Sequence, residues 1–227
     1  MTYKFGISHL DDALGELEGG TNVLVSGPSM SGKDKFAYSV ISEGIRQDNG
    51  IIFVSTKDSG PEILDYYRDN VDGFDPERFG IVDCVSASQG MSDVEETDNM
   101  KLVSSPDDMT GIGVKVSQLL EDYWKEKEIT ENRIYLNSVS TLLMYSNLQT
   151  VFRFLHVFTG RVKSVEGFGL FEIDSEMHDQ QTYSTLKQLF DGIVEVRQED
   201  KGPELRARGI TSNPTDWMSL EVTDTKA

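Results

Sequence analysis

The sequence has 227 residues, 39 of them acidic and 21 basic, for a formal net charge of −18. That length fits one domain with a full core; no run of ~18 apolar residues suggests a membrane helix, and "MTYKFGISHLDD" lacks the basic-then-apolar pattern of a secretory leader. One cysteine, Cys84, rules out an internal disulfide or a Cys-rich metal centre, and without a long Lys/Arg cluster, tight sequence-independent binding to duplex DNA is disfavoured.

The acids are spread along the chain, which argues against a disordered acidic tail. Adaptation to very high salt is the preferred reading of the charge, with an ordinary acidic protein as the alternative. A cytoplasmic location is expected.

In chain order, "TNVLVSG" is an apolar run ending in glycine and predicts a buried strand. After it comes the turn "SGPSMSGKD", and then a helix from about Lys33 to Gln47 with Ala37, Val40, Ile41, Gly44 and Ile45 on its apolar face. "IIFVST" is a second buried strand. "GPEILDYYRDN" is a helix with Pro61 in its first turn, and "RFGIVDCVS" is a third strand that buries Cys84 as an inert thiol. Residues Ala87 to Pro106 are polar and acidic and predict a long surface loop.

"TGIGVKVSQLLEDYWKEKE" predicts a helix with Thr110 as its N-cap. "NRIYLNSVS" is a fourth strand. "QTVFRFLHVFTGRVKS" is an amphipathic helix with Val151, Leu155, Phe158 and Val162 in register, and His156 at its surface. "GFGLFEID" is a fifth strand. "TYSTLKQLFDG" is a helix with Gly192 just past its end. "GIVEVRQ" and "ELRARGI" are two strands joined at "EDKGP". Residues 1–227 form one domain without repeat or linker.

Strands alternating with helices predict an α/β fold: a mostly parallel sheet with helices on both faces and a C-terminal antiparallel hairpin. Ligands in such sheets lie beyond the carboxyl ends of the strands. The turn after the first strand, Asp58, Asn137 and Asp174 all fall at that end, so they are expected to share one site. The acids and histidine of "IDSEMHDQQ", Asp174, Glu176, His178 and Asp179, are read as a polar loop near that site rather than a metal cluster.

The turn Gly27–Asp34 has the form G-x-x-x-x-G-K of a phosphate-binding loop. Gly27 and Gly32 permit the backbone to turn the N–H groups of Pro28–Lys33 (those after the proline) inward. Ser29, Met30 and Ser31 lie within the cradle, and Lys33 can reach the terminal phosphates. The next position carries the hydroxyl that holds Mg²⁺ in such loops, and here it is Asp34. Three readings stay open: a working ATPase, a nucleotide binder without turnover, or a loop that is only similar in form.

The segment "GISHLDDALGELEGGTNVLVSGPSMSGKDKFAYSVISEG" followed by "GIIFVST" resembles the RecA-like P-loop ATPases of the KaiC type, and "NRIYLNSVSTLLMYS" resembles their second nucleotide motif, R-h-h-h-D-S-h-[ST]. "ELRARG" is similar to their late strand with basic residues aimed at a neighbour's nucleotide. The resemblance spans nearly the whole chain and is nearest to single-domain haloarchaeal KaiC-like proteins. It implies ATP and Mg²⁺ as ligands, self-association into rings or a protein partner, and Arg206 and Arg208 as trans-acting arginines.

The departures from that family fall on catalytic positions. Asp34 replaces the metal-binding hydroxyl, Asn137 replaces the motif's aspartate, and Lys57 and Asp58 stand where the resemblance implies paired glutamates. The two metal positions together keep a charge of −1, so Asp34 could hold Mg²⁺ with Asn137 in its environment. Lys57 is no base at neutral pH, which leaves Asp58 as the candidate base. The implied function is an ATP-binding regulatory or scaffolding protein with little or no hydrolysis. The alternatives are an ATPase with a rearranged metal site and an interaction module that binds no nucleotide.

Overall fold

The computed structural model describes residues 1–91 and 93–221. A two-stranded antiparallel ribbon pairs β1 (Thr2–Tyr3) with β2 (Leu17–Glu18) around α1 (Ser8–Leu14). The main sheet begins with β3 (Asn22–Gly27), followed by α2 (Lys33–Arg46), β4 (Gly50–Ser55) and α3 (Gly60–Asn70). Then come β5 (Phe79–Asp83), β6 (Met100–Leu102), α4 (Met109–Lys125), β7 (Asn132–Asn137), α5 (Val139–Tyr145) and α6 (Leu148–Ser164). The chain continues with β8 (Phe168–Asp174), α7 (Gln180–Lys187), β9 (Gly192–Glu199), β10 (Gly202–Arg208) and β11 (Met218–Ser219).

The sheet order is β11-β10-β9-β3-β8-β7-β4-β5-β6. Every pairing from β9 to β6 is parallel, and β10 and β11 add an antiparallel edge. This is the predicted α/β architecture with its C-terminal hairpin. β3, β4, β7 and β8 are buried on both faces, so β3 and β4 read as near-continuous apolar runs rather than alternating ones, while β7 and β8 each carry a buried charge inside the run, Arg133 and Glu172. Val23, Val25 and Phe53 pack one way, with Phe36, Val40 and Ile41 of α2. Leu24, Ile52, Val54 and Leu136 pack the other way, with residues of α4 and α6. Among the described residues no helix is long and apolar enough to cross a membrane.

Several boundaries differ from expectation. The loop from Ala87 to Pro106 contains β6, which continues the parallel sheet beside β5. The predicted Thr110 cap is displaced: Asp108 caps α4, its Oδ1 accepting the N–H of Gly111 at 2.8 Å. A Cβ at Gly111 would collide with that carboxylate, so the glycine admits the cap. Asp108→Ala should cost about 1 kcal/mol of stability, measurable by urea unfolding; an unchanged midpoint would show that the cap contributes nothing. Gly192 does not close α7, which ends at Lys187; it begins β9, where Ile210 leaves no room for a Cβ.

Two buried charges organise the frame. Arg133 on β7 is fully buried. It donates to Asn49 Oδ1 (2.7 Å), Lys4 O (2.7 Å), Val40 O (3.1 Å) and Gln47 Oε1 (2.8 Å). Its guanidinium lies against the rings of Tyr3 and Phe168. Asp83, at the carboxyl end of β5, is also fully buried and accepts from the N–H groups of Gly60, Val85 and Ser86 and from the Ser86 hydroxyl. Its partners pin the start of α3 and the turn after β5.

Candidate functional site

The carboxyl ends of β3, β4, β7 and β8 open onto a cavity of about 450 Å³. The glycine turn forms one wall, and residues following β4, β7 and β8 form the others. Four carboxylates (Asp34, Asp58, Glu172, Asp174) face it against two lysines (Lys33, Lys57).

The turn takes its form from local sterics. A Cβ on Gly27 would strike the Val196 carbonyl oxygen and lie 2.6 Å from Ser31 Oγ. Gly32 has φ 88°, and a Cβ there would press on Pro203 at 3.2 Å. Met30 also adopts a left-handed conformation, with φ 60°, and its side chain is exposed. Gly32 is the N-cap of α2 and supplies no side chain to it. The first-turn N–H groups are therefore left to water or to a ligand. Ser31 Oγ is buried and has no hydrogen-bond partner among the described residues. A buried orphan hydroxyl beside an uncapped helix start is the donor set an anion would satisfy.

Lys33 is 5% exposed. Its Nζ donates to Pro28 O at 3.0 Å and lies 3.5 Å from Asp174 Oδ2. Ser29 Oγ donates to that same oxygen at 2.5 Å, and the Glu176 N–H donates to Asp174 Oδ1 at 3.2 Å. Burial works against ionising Asp174, but the bonds from Ser29 and Glu176 and the Lys33 ammonium outweigh it and hold the carboxyl below its usual range.

On the opposite wall, Asn137 Oδ1 accepts the Thr56 N–H at 3.0 Å and Nδ2 donates to Asp58 Oδ2 at 3.2 Å. Tyr38 O–H reaches the same Asp58 oxygen at 3.5 Å. Burial, reinforced by Asp58, Glu172 and Asp34, pushes the Tyr38 phenol far up, so it stays a donor at neutral pH. Lys57 Nζ lies 2.5 Å from Glu172 Oε1, and Tyr135 O–H donates to Glu172 Oε2 at 2.7 Å. Glu172 is 1% exposed.

The convergence expected from the strand ends is therefore present: Ser29, Met30, Lys33, Asp34, Asp58, Asn137 and Asp174 share one cavity. Arg206 and Arg208 lie outside it on β10. Both reach Glu195 of β9, at 2.5 Å and 3.4 Å, and Arg206 also covers the Trp217 ring. Of the acids after β8, Asp179 caps α7 through the Thr182 N–H. Among the described residues no three His, Cys, Asp or Glu side chains gather as a metal site. The Asn137 amide is turned toward Asp58, while Asp34 is exposed and makes no ion pair among the described residues. Motif and spacing in the sequence assign no role to Glu172 or its partner Tyr135. The signal is a glutamate inside the otherwise apolar run "GFGLFEI", since a buried charge requires a partner.

Comparison with known proteins assigns a family and a fold. Residues 20–196 match the model of a family of unknown function, DUF7504, and the chain belongs to that family. No curated protein matches the sequence. Among solved structures, the uncharacterized protein PH0321 of Pyrococcus horikoshii, determined in complex with an unknown peptide, superposes with a TM-score of 0.70 at 15% identity, covering 91% of this chain and 90% of its own. The KaiC-like protein PH0186 of the same organism superposes with a TM-score of 0.61 at 13% identity, covering 91% and 86%. At those identities the likeness is one of fold, and the fold is KaiC-like.

Proposed function

We propose that this DUF7504 protein binds ATP at the glycine turn and acts as a KaiC-like regulatory or scaffolding module with little or no hydrolysis. The supporting observation is the turn itself: a helix start without a side-chain cap, a buried orphan hydroxyl on Ser31, and an almost fully buried lysine that lines the cavity together with Ser29, Met30 and Asp34. In this reading the N–H groups around Gly32 and the side chains of Ser31 and Lys33 hold phosphate oxygens. Asp34 is the carboxylate available to a Mg²⁺ carried in with the nucleotide, where the metal neutralises phosphate charge. Asn137 adds a neutral neighbour to that environment.

The opposite wall argues against turnover. Water activation needs a base within hydrogen-bond reach of the water. Lys57 is a paired cation, and one oxygen of Asp58 already takes the Asn137 amide and the Tyr38 hydroxyl. Arg206 and Arg208 are occupied by their own chain's Glu195. Delivery to a neighbour's nucleotide, as the ATPase alternative requires, would first break those pairs.

The test is calorimetric titration of ATP, with and without Mg²⁺, in multimolar KCl, alongside an assay for released phosphate. Saturable binding without phosphate release is expected, and Lys33→Ala should weaken it by about 100-fold while retaining the wild-type circular dichroism. No heat change at millimolar ATP would exclude the proposal and leave the interaction module. Phosphate release that depends on Lys33 would establish the ATPase instead.

A further inference from the structure

Asp174 occupies an unusual place for a carboxylate. β8 pairs with β3 in a register that sets Asp174 opposite Gly27, and the Ser175 N–H bonds the Gly27 carbonyl at 3.0 Å. The backbone thus fixes this acid at the mouth of the phosphate turn. Its Oδ2 takes two of the turn's three side-chain donors, the Ser29 hydroxyl at 2.5 Å and, as an ion pair at 3.5 Å, the Lys33 ammonium, which also donates to Pro28 O at 3.0 Å. Both ion-pair side chains are shielded, Lys33 at 6% and Asp174 at 9% exposure. Lys33 is a donor a phosphate would use, and Asp174 already pairs with it, while the Ser31 hydroxyl is not engaged by Asp174. A buried lysine needs a counter-charge when no ligand is present, and Asp174 supplies it.

We infer that Asp174 is the internal anion of this turn, the group a nucleotide's polyphosphate must displace from Lys33 and Ser29, and hence the residue that sets which anions the site accepts and how tightly. The inference rests on the nucleotide reading above and deepens it. Orthophosphate, with roughly one to two negative charges near neutral pH, must displace Asp174 and gains few contacts in return, whereas a polyphosphate adds oxygens that also reach the N–H groups at the start of α2. Selection for polyphosphate over orthophosphate follows.

The residue can be tested separately from the site. Asp174→Asn keeps one oxygen for the Glu176 N–H, places an amide NH2 in the position that faces Ser29 and Lys33, and removes the negative charge beside Lys33; Asp174→Ala removes both oxygens and serves as a second variant if the first unfolds. Each is titrated with ATP, with inorganic tripolyphosphate and with orthophosphate, beside wild type and Glu176→Gln, an exposed neighbour that controls for loss of one negative charge. Loss of Asp174 should tighten ATP and tripolyphosphate by about tenfold or more and bring orthophosphate into measurable range. Glu176→Gln should change little, and adding Lys33→Ala should abolish the gain. Wild type that binds ATP as tightly as both Asp174 variants would overturn the inference and leave the nucleotide reading intact. An equal gain in Glu176→Gln, or a gain that survives Lys33→Ala, would do the same. Absence of binding in wild type and in both Asp174 variants would overturn both.

Discussion

Arg133→Ala is expected to lower stability by about 4 kcal/mol, enough to leave the protein partly unfolded at moderate temperature. Burial draws the guanidinium down to about 10, so the side chain is still charged at neutral pH. That charge is tolerated because four acceptors and two ring faces surround it. Alanine would leave a large void and orphan the Lys4 and Val40 carbonyls and the side-chain oxygens of Asn49 and Gln47. Arg133→Lys should recover little, because one ammonium cannot reach acceptors spread around a planar fork. Gly44 belongs to the same arrangement: a Cβ there would lie 2.5 Å from Arg133 Cδ. The bonds join the N-terminal segment, the middle and end of α2 and the start of β7. The loss therefore propagates to the helix that presents Lys33. Urea unfolding followed by circular dichroism measures the effect; a loss under about 1 kcal/mol would show that the neighbours relax around the void.

The parts of this fold that were legible in the sequence are those where one local rule decides. β3 and β4 were legible as apolar runs because both faces are buried, and β7 and β8 were legible despite a buried charge inside each. The glycine turn was legible because Gly27 and Gly32 sit where a Cβ has no room or φ is positive. Their meeting at the carboxyl ends follows from strand–helix alternation alone. The rest depended on partners distant in sequence or on competing local signals. Asp108 and Thr110 are both good caps two residues apart, and the backbone approach at Gly111 decides between them. β6 is a three-residue edge strand that needs β5 beside it to exist. α5 spans seven residues, too few for a periodic pattern. Gly192 followed a helix and resembled a cap, but its reason is Ile210 across the hairpin. Glu172 could be flagged as a charge in an apolar strand, whereas its partners Lys57 and Tyr135 lie 115 and 37 residues away.

Asn137→Asp restores the aspartate expected of the resembled motif, and its expected result is a loss rather than a gain. The present amide donates to Asp58 at 3.2 Å; a carboxylate would place two anions at that distance with nothing to donate between them. Two unit charges about 4 Å apart repel by roughly 4 kcal/mol at an effective dielectric near 20. Rotation of the half-exposed Asp58 toward water should reduce the net cost to about 2 kcal/mol. The cost should vanish in Asn137→Asp/Asp58→Asn, which removes the second charge. It should also shrink in millimolar Mg²⁺, because a cation bound only by the folded variant stabilises it by mass action, whereas Mg²⁺ alone should leave the wild-type melting temperature unmoved. If the single variant were as stable as wild type and indifferent to Mg²⁺, Asn137 would have no part in the metal environment. If the expected pattern holds, the amide at 137 and the carboxylate at 58 are one arrangement, in which the chain replaces a metal-dependent contact with a hydrogen bond of its own, and the open carboxylate of Asp34 is the group left to meet a metal.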